Sequence, residues 1–266
     1  MAVAVKSNRV KSSISRNGKG KRVGLARALS KLGYCSRSQA FSLIQEGRVR
    51  LNGARPRNPE TPVRLGFDRI DVDGKHASAA EGVYLLLNKP RGVVTTANDE
   101  KGRKTIYSLL PKDQQWIAAI GRLDKASEGL LLLSNDSEWG ARITDPGSHL
   151  EKTYHVQIGI VADAKLLESL ERGVEVPSGE RLKAVRASVV RTGEKNSWIE
   201  IVLDEGKNRQ IRRMLDALGV EVLRLIRVAI GPLKLGELAK GAHRSLHQEE
   251  KAALEQALAA SSRLRS

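Results

Sequence analysis

Asp124 is the carboxylate in this chain whose neighbours could set it to chemical work. It lies in "GRLDKASEGLLLLSND", residues 121–136, two positions after Arg122 and between an apolar stretch and a run of leucines. An aspartate at such a strand-to-loop junction, kept charged by a cationic neighbour, can serve as an ionised nucleophile. The same two side chains can instead form a structural ion pair, and on spacing alone that plainer reading is the favoured one. Other chemistries are poorly provided for. The five histidines, His76, His149, His155, His243 and His247, do not combine with Cys35 or with carboxylates at a metal-ligand spacing, so no metal is expected. Cys35, the single cysteine, cannot close an intramolecular disulfide, fits a reducing compartment and reads as a packing residue.

The rest of the composition points to the kind of substrate such a carboxylate would meet. Over 266 residues, 46 Lys and Arg stand against 30 Asp and Glu, a formal charge of +16 with a pI near 10.2, which makes a polyanion the leading partner. Nucleic acid is favoured over membrane. No apolar run reaches the roughly 18 uncharged residues of a transmembrane helix, and charges occupy the place of a signal peptide's apolar stretch. A cytoplasmic location is expected. Three Trp, four Tyr and two Phe are too few for a base-stacking platform, so affinity should come from phosphate contacts and fall steeply with salt.

Residues 1–21 hold Lys6, Arg9, Lys11, Arg16, Lys19 and Lys21 with no acidic residue, and are expected to be a disordered basic arm. Leu25, Ala28, Leu29 and Leu32 then recur at helical spacing, with Gly33 as a stop. Ser36 and Gln39 make a capping box for a second helix, whose apolar face includes Ala40, Leu43 and Ile44. Val49 and Leu51 alternate with Arg48 and Arg50 before an Asn52-Gly53 turn, and Ile70 and Val72 begin a strand ending at Asp73-Gly74. Two helices and a small sheet over residues 22–76 result. A small-residue linker, 77–82, leads to a larger α+β unit, 83–247. Its strands are expected in "VYLLLNKPRGVVTT", broken at Lys89-Pro90, and in "WIAAIGRLD", "GLLLLSND", "KTYHVQIGI", "SWIEIVLDEG" and "LRLIRVAIGPL". Helices are expected over 162–172 and 208–218. A helix-like "HQEEKAALEQALAAS" and a peripheral Ser-rich end close the chain as a tail over 248–266.

Two resemblances give these elements roles. The stretch "RVGLARALSKLGYCSRSQAFSLIQEGRVRLNG" resembles the small αL RNA-binding domain of a small-subunit ribosomal protein and of tyrosyl-tRNA synthetases. That implies a basic helical face, here Arg22, Arg27, Lys31, Arg37 and Arg48, gripping structured RNA. The plainer reading is that these charges solvate the outer faces of two helices. The "GRLD" element, the Ser-x-Gly-Leu-Leu-Leu-Leu continuation and Asn135-Asp136 resemble the catalytic signature of pseudouridine synthases. The branch is the one that modifies ribosomal RNA and carries a small N-terminal RNA-binding domain. "NKPRG" (88–92), "EKTY" (151–154) and "EGKNRQIRRM" (205–214) follow in that family's order, and the similarity runs over 22–246.

This second resemblance implies a mixed, mostly antiparallel sheet with flanking helices, acting as a monomer and without cofactor, because uridine and pseudouridine are isomers. It implies that Asp124 attacks the target nucleotide, that Tyr154 packs on the uracil and takes part in the final proton removal, and that Arg212 pairs with the aspartate. Arg122 matches the residue that fills the stack vacated by the extruded base. Lys89, Arg91, Lys207 and Arg209 are assigned to phosphates. Ser127 departs from the usual Thr, and Ser137 from the Gly that often follows Asn-Asp; neither carries a catalytic role. "GKNRQIRRM" and "LRLIRVAIG" look closer to the enzymes of the large ribosomal subunit. A non-catalytic RNA-binding assembly factor is the competing class, and a DNA-binding regulator, which would leave the large unit unexplained, is the third.

Overall fold

A computed structural model describes residues 22–97, 99–111 and 115–263; the basic arm expected at 1–21 lies outside the described residues. The chain divides into two compact units, Met1–Ala79 and Ala80–Ser266.

In the first unit, β1 (Val23–Gly24) leads into α1 (Leu25–Lys31) and α2 (Arg37–Gln45). The strands β2 (Val49–Leu51), β3 (Pro62–Val63), β4 (Ile70–Val72) and β5 (Lys75–His76) follow, with β2, β4 and β5 forming one sheet and β1 pairing with β3. The capping box is present in full: Gln39 N donates to Ser36 Oγ at 3.1 Å, and Ser36 N donates to Gln39 Oε1 at 2.9 Å. Each satisfies an amide that the helix start would leave without a partner. Asp73 and Gly74, at φ 50° and 78°, form the two-residue hairpin loop between β4 and β5, the left-handed backbone that an Asp-Gly pair adopts readily. Leu25, Leu29, Ile44, Val49, Ile70 and Val72 share one core, which also encloses Cys35. Burial pushes the Cys35 thiol up to about 11.

The second unit is built on β6 (Tyr84–Lys89), β7 (Ala118–Ile120), β8 (Glu128–Ser134), β9 (Lys152–Ile158), β10 (Val174–Glu175), β11 (Arg181–Leu182), β12 (Arg186–Thr192), β13 (Ser197–Leu203), β14 (Val222–Ile230), β15 (Leu233–Lys234) and β16 (His243–Ser245). Its helices are α3 (Ser137–Thr144), α4 (Ala164–Arg172), α5 (Gln210–Ala217) and α6 (Gln248–Arg263). The main sheet runs β12-β13-β9-β14-β8-β6-β16, with β15 on β14 and β7 on β8. Its pairings are antiparallel except for β14 with β8. The fold is therefore the mixed, mostly antiparallel α+β architecture that the resemblance implies.

The leucine runs are explained by the layers. Leu86, Leu130 and Leu132 enter a core on one face with Trp139, Ile143 and Leu254, while Leu85, Leu87, Leu131 and Leu133 enter a core on the other with Ile106, Ile117 and Leu123. A strand buried on both faces reads as an unbroken apolar run rather than an alternation. Farther along the sheet, Val156, Ile199, Ile201 and Leu225 pack with Leu166 and Leu170 of α4 and Ile211, Met214 and Leu215 of α5.

Some boundaries differ from the sequence-based ones for identifiable reasons. α4 starts at Ala164 rather than 162 because the Asp163 carboxylate caps it, accepting from Leu166 N at 2.8 Å. α5 starts at Gln210 rather than 208 because Arg209 sits in the left-handed region at φ 49°. The helix-like stretch expected near the end of the chain forms α6, and its Leu254 and Leu258 are buried in the core with Trp139. β12, largely exposed along its length, was not foreseen.

Gly129 shows how tightly β8 and β14 meet. At φ 101° its position is unfavourable for a side chain, and an added Cβ would collide with the backbone N, C and O of Arg227. Gly129→Ala is expected to cost about 3 kcal/mol of stability, by strain and displacement of a central strand. Urea denaturation checks this, and a midpoint within error of the wild type would contradict it.

Candidate active site

The loop between β7 and β8 carries Asp124, and five of its successive carbonyls are held. Thr95 Oγ1 donates to Leu123 O at 2.8 Å, Lys89 Nζ to Asp124 O at 3.1 Å, and Gly92 N to Lys125 O at 2.7 Å. Arg212 Nη2 donates to Ala126 O at 3.2 Å, and Lys89 Nζ also reaches Ser127 O at 2.8 Å. Loop carbonyls near a core need such partners. Their number leaves the Asp124 backbone little freedom, so its carboxylate is aimed by structure rather than found by search.

The Asp124 side chain is 38% exposed and lines a cleft of about 620 Å³, shared with Arg122, Tyr154, Lys207, Arg209 and Arg212. Its ion-pair partner is Arg209, with Nη1 3.5 Å from Oδ2. The left-handed backbone of Arg209 at the start of α5 accompanies this contact, a costly conformation of the sort found at functional sites. Tyr154, on β9, packs against both the β8-centred core and the β13-centred core.

Arg212, expected to pair with the aspartate, instead donates to the Ala126 carbonyl, so it steadies the loop that carries the aspartate. Burial lowers its guanidinium pKa, as do the charges of Arg209 and Arg91, while Asp124 raises it; all four charges thus belong to one cluster. Arg209, assigned to a phosphate, is the direct carboxylate partner. Lys89, also assigned to a phosphate, is 0% exposed and bonds the carbonyls of Pro90, Asp124 and Ser127, so it cannot reach a bound backbone. Lys207 is exposed but held by Glu205 at 3.0 Å and Glu180 at 3.2 Å. Arg91 and Arg122 remain exposed.

In the first unit Arg22, Arg27 and Arg37 are exposed and Lys31 is half-buried. Arg48 departs from the expected basic face, because Asp73 takes its fork with bonds at 2.9 and 2.7 Å and Glu46 stands at 3.3 Å.

The Asn135-Asp136 pair turns out to be structural. Asn135 accepts from Val83 N and donates to Glu81 O, both at 2.8 Å, pinning the approach to β6. Asp136 caps α3 by accepting from Glu138 N and Trp139 N, and accepts from the Tyr84 hydroxyl at 3.0 Å. Three residues of the site were not singled out from the sequence. Thr95 lies in an apolar-rich segment that shows nothing of its hydroxyl's partner. Lys152 and Arg227 line the cleft, and the "LRLIRVAIG" pattern could have pointed to Arg227 as a cation inside an otherwise apolar strand.

Burial pushes the Lys89 ammonium down from 10.5 to about 8, against the attraction of Asp124 and Glu128. Between those two pH values the unfolded chain binds more protons at this residue than the folded one, so its contribution to stability grows as pH rises and is lost as pH falls through 8. The stability difference between wild type and Lys89→Met should therefore move in favour of the wild type from pH 8 to 10.5. Denaturation midpoints across that range check it; a difference that does not change with pH would contradict it.

Among the described residues no helix is long and apolar enough to cross a membrane. The RNA pseudouridylate synthase family model matches residues 83–217, and the S4 domain model matches residues 23–70. The chain is 38% identical over 229 residues to the ribosomal large subunit pseudouridine synthase B of Bacillus subtilis, covering 85% of this chain and 93% of that protein. It is 39% identical over 233 residues to an uncharacterised RNA pseudouridine synthase of Aquifex aeolicus, covering 87% and 93%. A crystal structure of a pseudouridylate synthase aligns with TM-score 0.63 at 30% identity, over 87% of this chain and 99% of that one.

Proposed function

Because this chain belongs to the RNA pseudouridylate synthase family, we propose that it converts a specific uridine of large-subunit ribosomal RNA to pseudouridine, with Asp124 as the essential carboxylate. The single observation that carries the assignment of Asp124 is its place in the cleft, partly open to solvent, on a loop held at five successive carbonyls and facing the Arg209 guanidinium. A structural ion pair would not require a loop anchored in this way beside an open cleft. The choice of the large subunit rests on the likeness to the Bacillus subtilis enzyme named for it.

The reaction is an isomerisation. The bond from the ribose carbon to the ring nitrogen of uracil breaks, the base turns, a bond forms to a ring carbon, and that carbon's proton leaves while the freed nitrogen gains one. Atoms and electrons balance without a second substrate. Asp124 engages the nucleotide, Arg209 faces its carboxylate at 3.5 Å, and Arg212 and Lys89 hold its loop. Tyr154 stacks on the detached uracil and, through its phenol, assists the last proton removal. Arg122, exposed at the cleft's rim, fills the gap left by the extruded base, which offsets part of the few kcal/mol of lost stacking. The first unit grips the RNA through Arg22, Arg27, Lys31 and Arg37. The protein acts as a monomer in the cytoplasm.

The test is to incubate the chain with unmodified large- and small-subunit ribosomal RNA and map pseudouridine chemically. Product at a discrete uridine of the large-subunit RNA is expected. Product only in the small-subunit RNA would overturn the substrate, and product in neither would overturn the activity.

A further inference from the structure

We propose that Arg227 and Lys152 form a phosphate-binding floor to the cleft, gripping a phosphodiester next to the target nucleotide; the assignment rests on the pseudouridine synthase reading above. Arg227 is 6% exposed yet lines the cleft. Its Nε donates to Leu130 O at 2.8 Å, which fixes the plane of the guanidinium, and its Nη2 is enclosed without a hydrogen-bond partner among the described residues. A buried donor left in that state costs free energy until an acceptor meets it. The Asp124-bearing loop does not use it.

Sheet register places this cation beside the chemistry. Arg227 on β14 is the direct antiparallel partner of Tyr154 on β9, so both side chains leave the same face of the sheet. Lys152, two residues before Tyr154, shares that face and also lines the cleft. Among the described residues Lys152 Nζ donates to Asp204 O, at 3.5 Å. The Asp204 carboxylate itself is engaged by His149 Nδ1 at 3.0 Å. Burial and the charge of Arg227 both push the Lys152 ammonium down, outweighing the pull of Asp204.

Two cations, one nine-tenths buried and one half-buried, therefore repel each other on the floor that receives the nucleotide. A uracil carbonyl would satisfy one donor but bring no net charge. A phosphodiester brings a full negative charge and several acceptor oxygens, which suit a guanidinium already held in plane. Phosphate contacts of this kind fix register and orientation, so the pair would seat the target nucleotide over Tyr154 rather than read its base.

The experiment uses oligoribonucleotides spanning the uridine that the wild-type protein converts, each carrying one uncharged methylphosphonate linkage near that uridine. Single-turnover rates at subsaturating protein are measured for wild type, Arg227→Gln and Lys152→Gln. At one linkage the neutral substitution should slow the wild type about tenfold to a hundredfold, the range of one charge-assisted contact. Each variant should be slowed by a similar factor on unmodified RNA and lose little more at that linkage. Wild-type rates insensitive to every neutral linkage, or losses that multiply in full with both variants, would overturn the phosphate assignment and favour a contact to the base. The wild-type series needs no substitution, so misfolding of the buried Arg227 variant cannot mask the answer. If the wild-type protein converts no uridine in any ribosomal RNA, the pseudouridine reading itself fails, and this assignment with it.

Discussion

Asp124→Asn should bind ribosomal RNA within a few-fold of the wild type while losing at least ~10⁴ of its turnover, the scale seen when a nucleophile is removed from a site that is otherwise intact. The amide keeps the side chain's size, so the cleft and its loop should survive. The carbonyl bonds from Lys89, Thr95, Gly92 and Arg212 go to backbone atoms and do not depend on the carboxylate. What the substitution removes is the negative charge facing Arg209. Affinity should hold because it comes from cations meeting phosphates, to which an acidic group contributes nothing favourable. Filter binding and quantitation of pseudouridine by mass spectrometry check both halves. A variant that binds RNA a hundredfold more weakly would show that Asp124 organises the RNA surface rather than the chemistry.

The second large effect concerns Lys89, which is fully buried behind the Asp124 loop. Lys89→Met should lower stability by about 3 kcal/mol and slow the chemical step by roughly a hundredfold. The lost ammonium leaves the carbonyls of Pro90, Asp124 and Ser127 without this donor, each costing about 1–3 kcal/mol if it stays buried and unpaired, partly offset by relief of a desolvated charge. The slower rate follows from geometry: two of those three carbonyls belong to the loop that aims Asp124, and a displacement of about 1 Å at a reacting group can cost that factor. RNA affinity should change little. Urea denaturation and single-turnover kinetics at saturating protein measure the two effects. A destabilised variant with an unaltered rate would mean that Lys89 supports the fold without positioning the carboxylate.

Much of this architecture was legible in the residues because its determinants are local or periodic. The Ser36–Gln39 capping box, the Asp73-Gly74 hairpin and the two-sided burial of the leucine strands follow from short-range chemistry and from unbroken apolar runs. The Asp124 loop, too, stood out by the residues around it. What could not be read was the direction of long side chains. Lys89 and Arg209 look alike in sequence as cations near the motifs, yet the fold buries one against backbone carbonyls and turns the other onto the carboxylate. Arg212 and Arg209 lie on the same short segment, and the left-handed turn at Arg209 decides which of them meets Asp124. The ion pairs that occupy Arg48 and Lys207 likewise depend on Asp73 and Glu180, residues brought near by tertiary folding. Charge alone does not tell a gripping cation from a neutralised one.

Tritium release from large-subunit ribosomal RNA labelled at the uracil ring carbon that becomes bonded to ribose bears most directly on Asp124, since that carbon must lose its hydrogen in the isomerisation. With wild-type protein in excess over RNA, release should proceed in a single-turnover burst to about one tritium per modified site, and with Asp124→Asn at matched RNA occupancy it should stay at background. Equal release by the two proteins, or none by the wild type, would contradict the role assigned to this carboxylate.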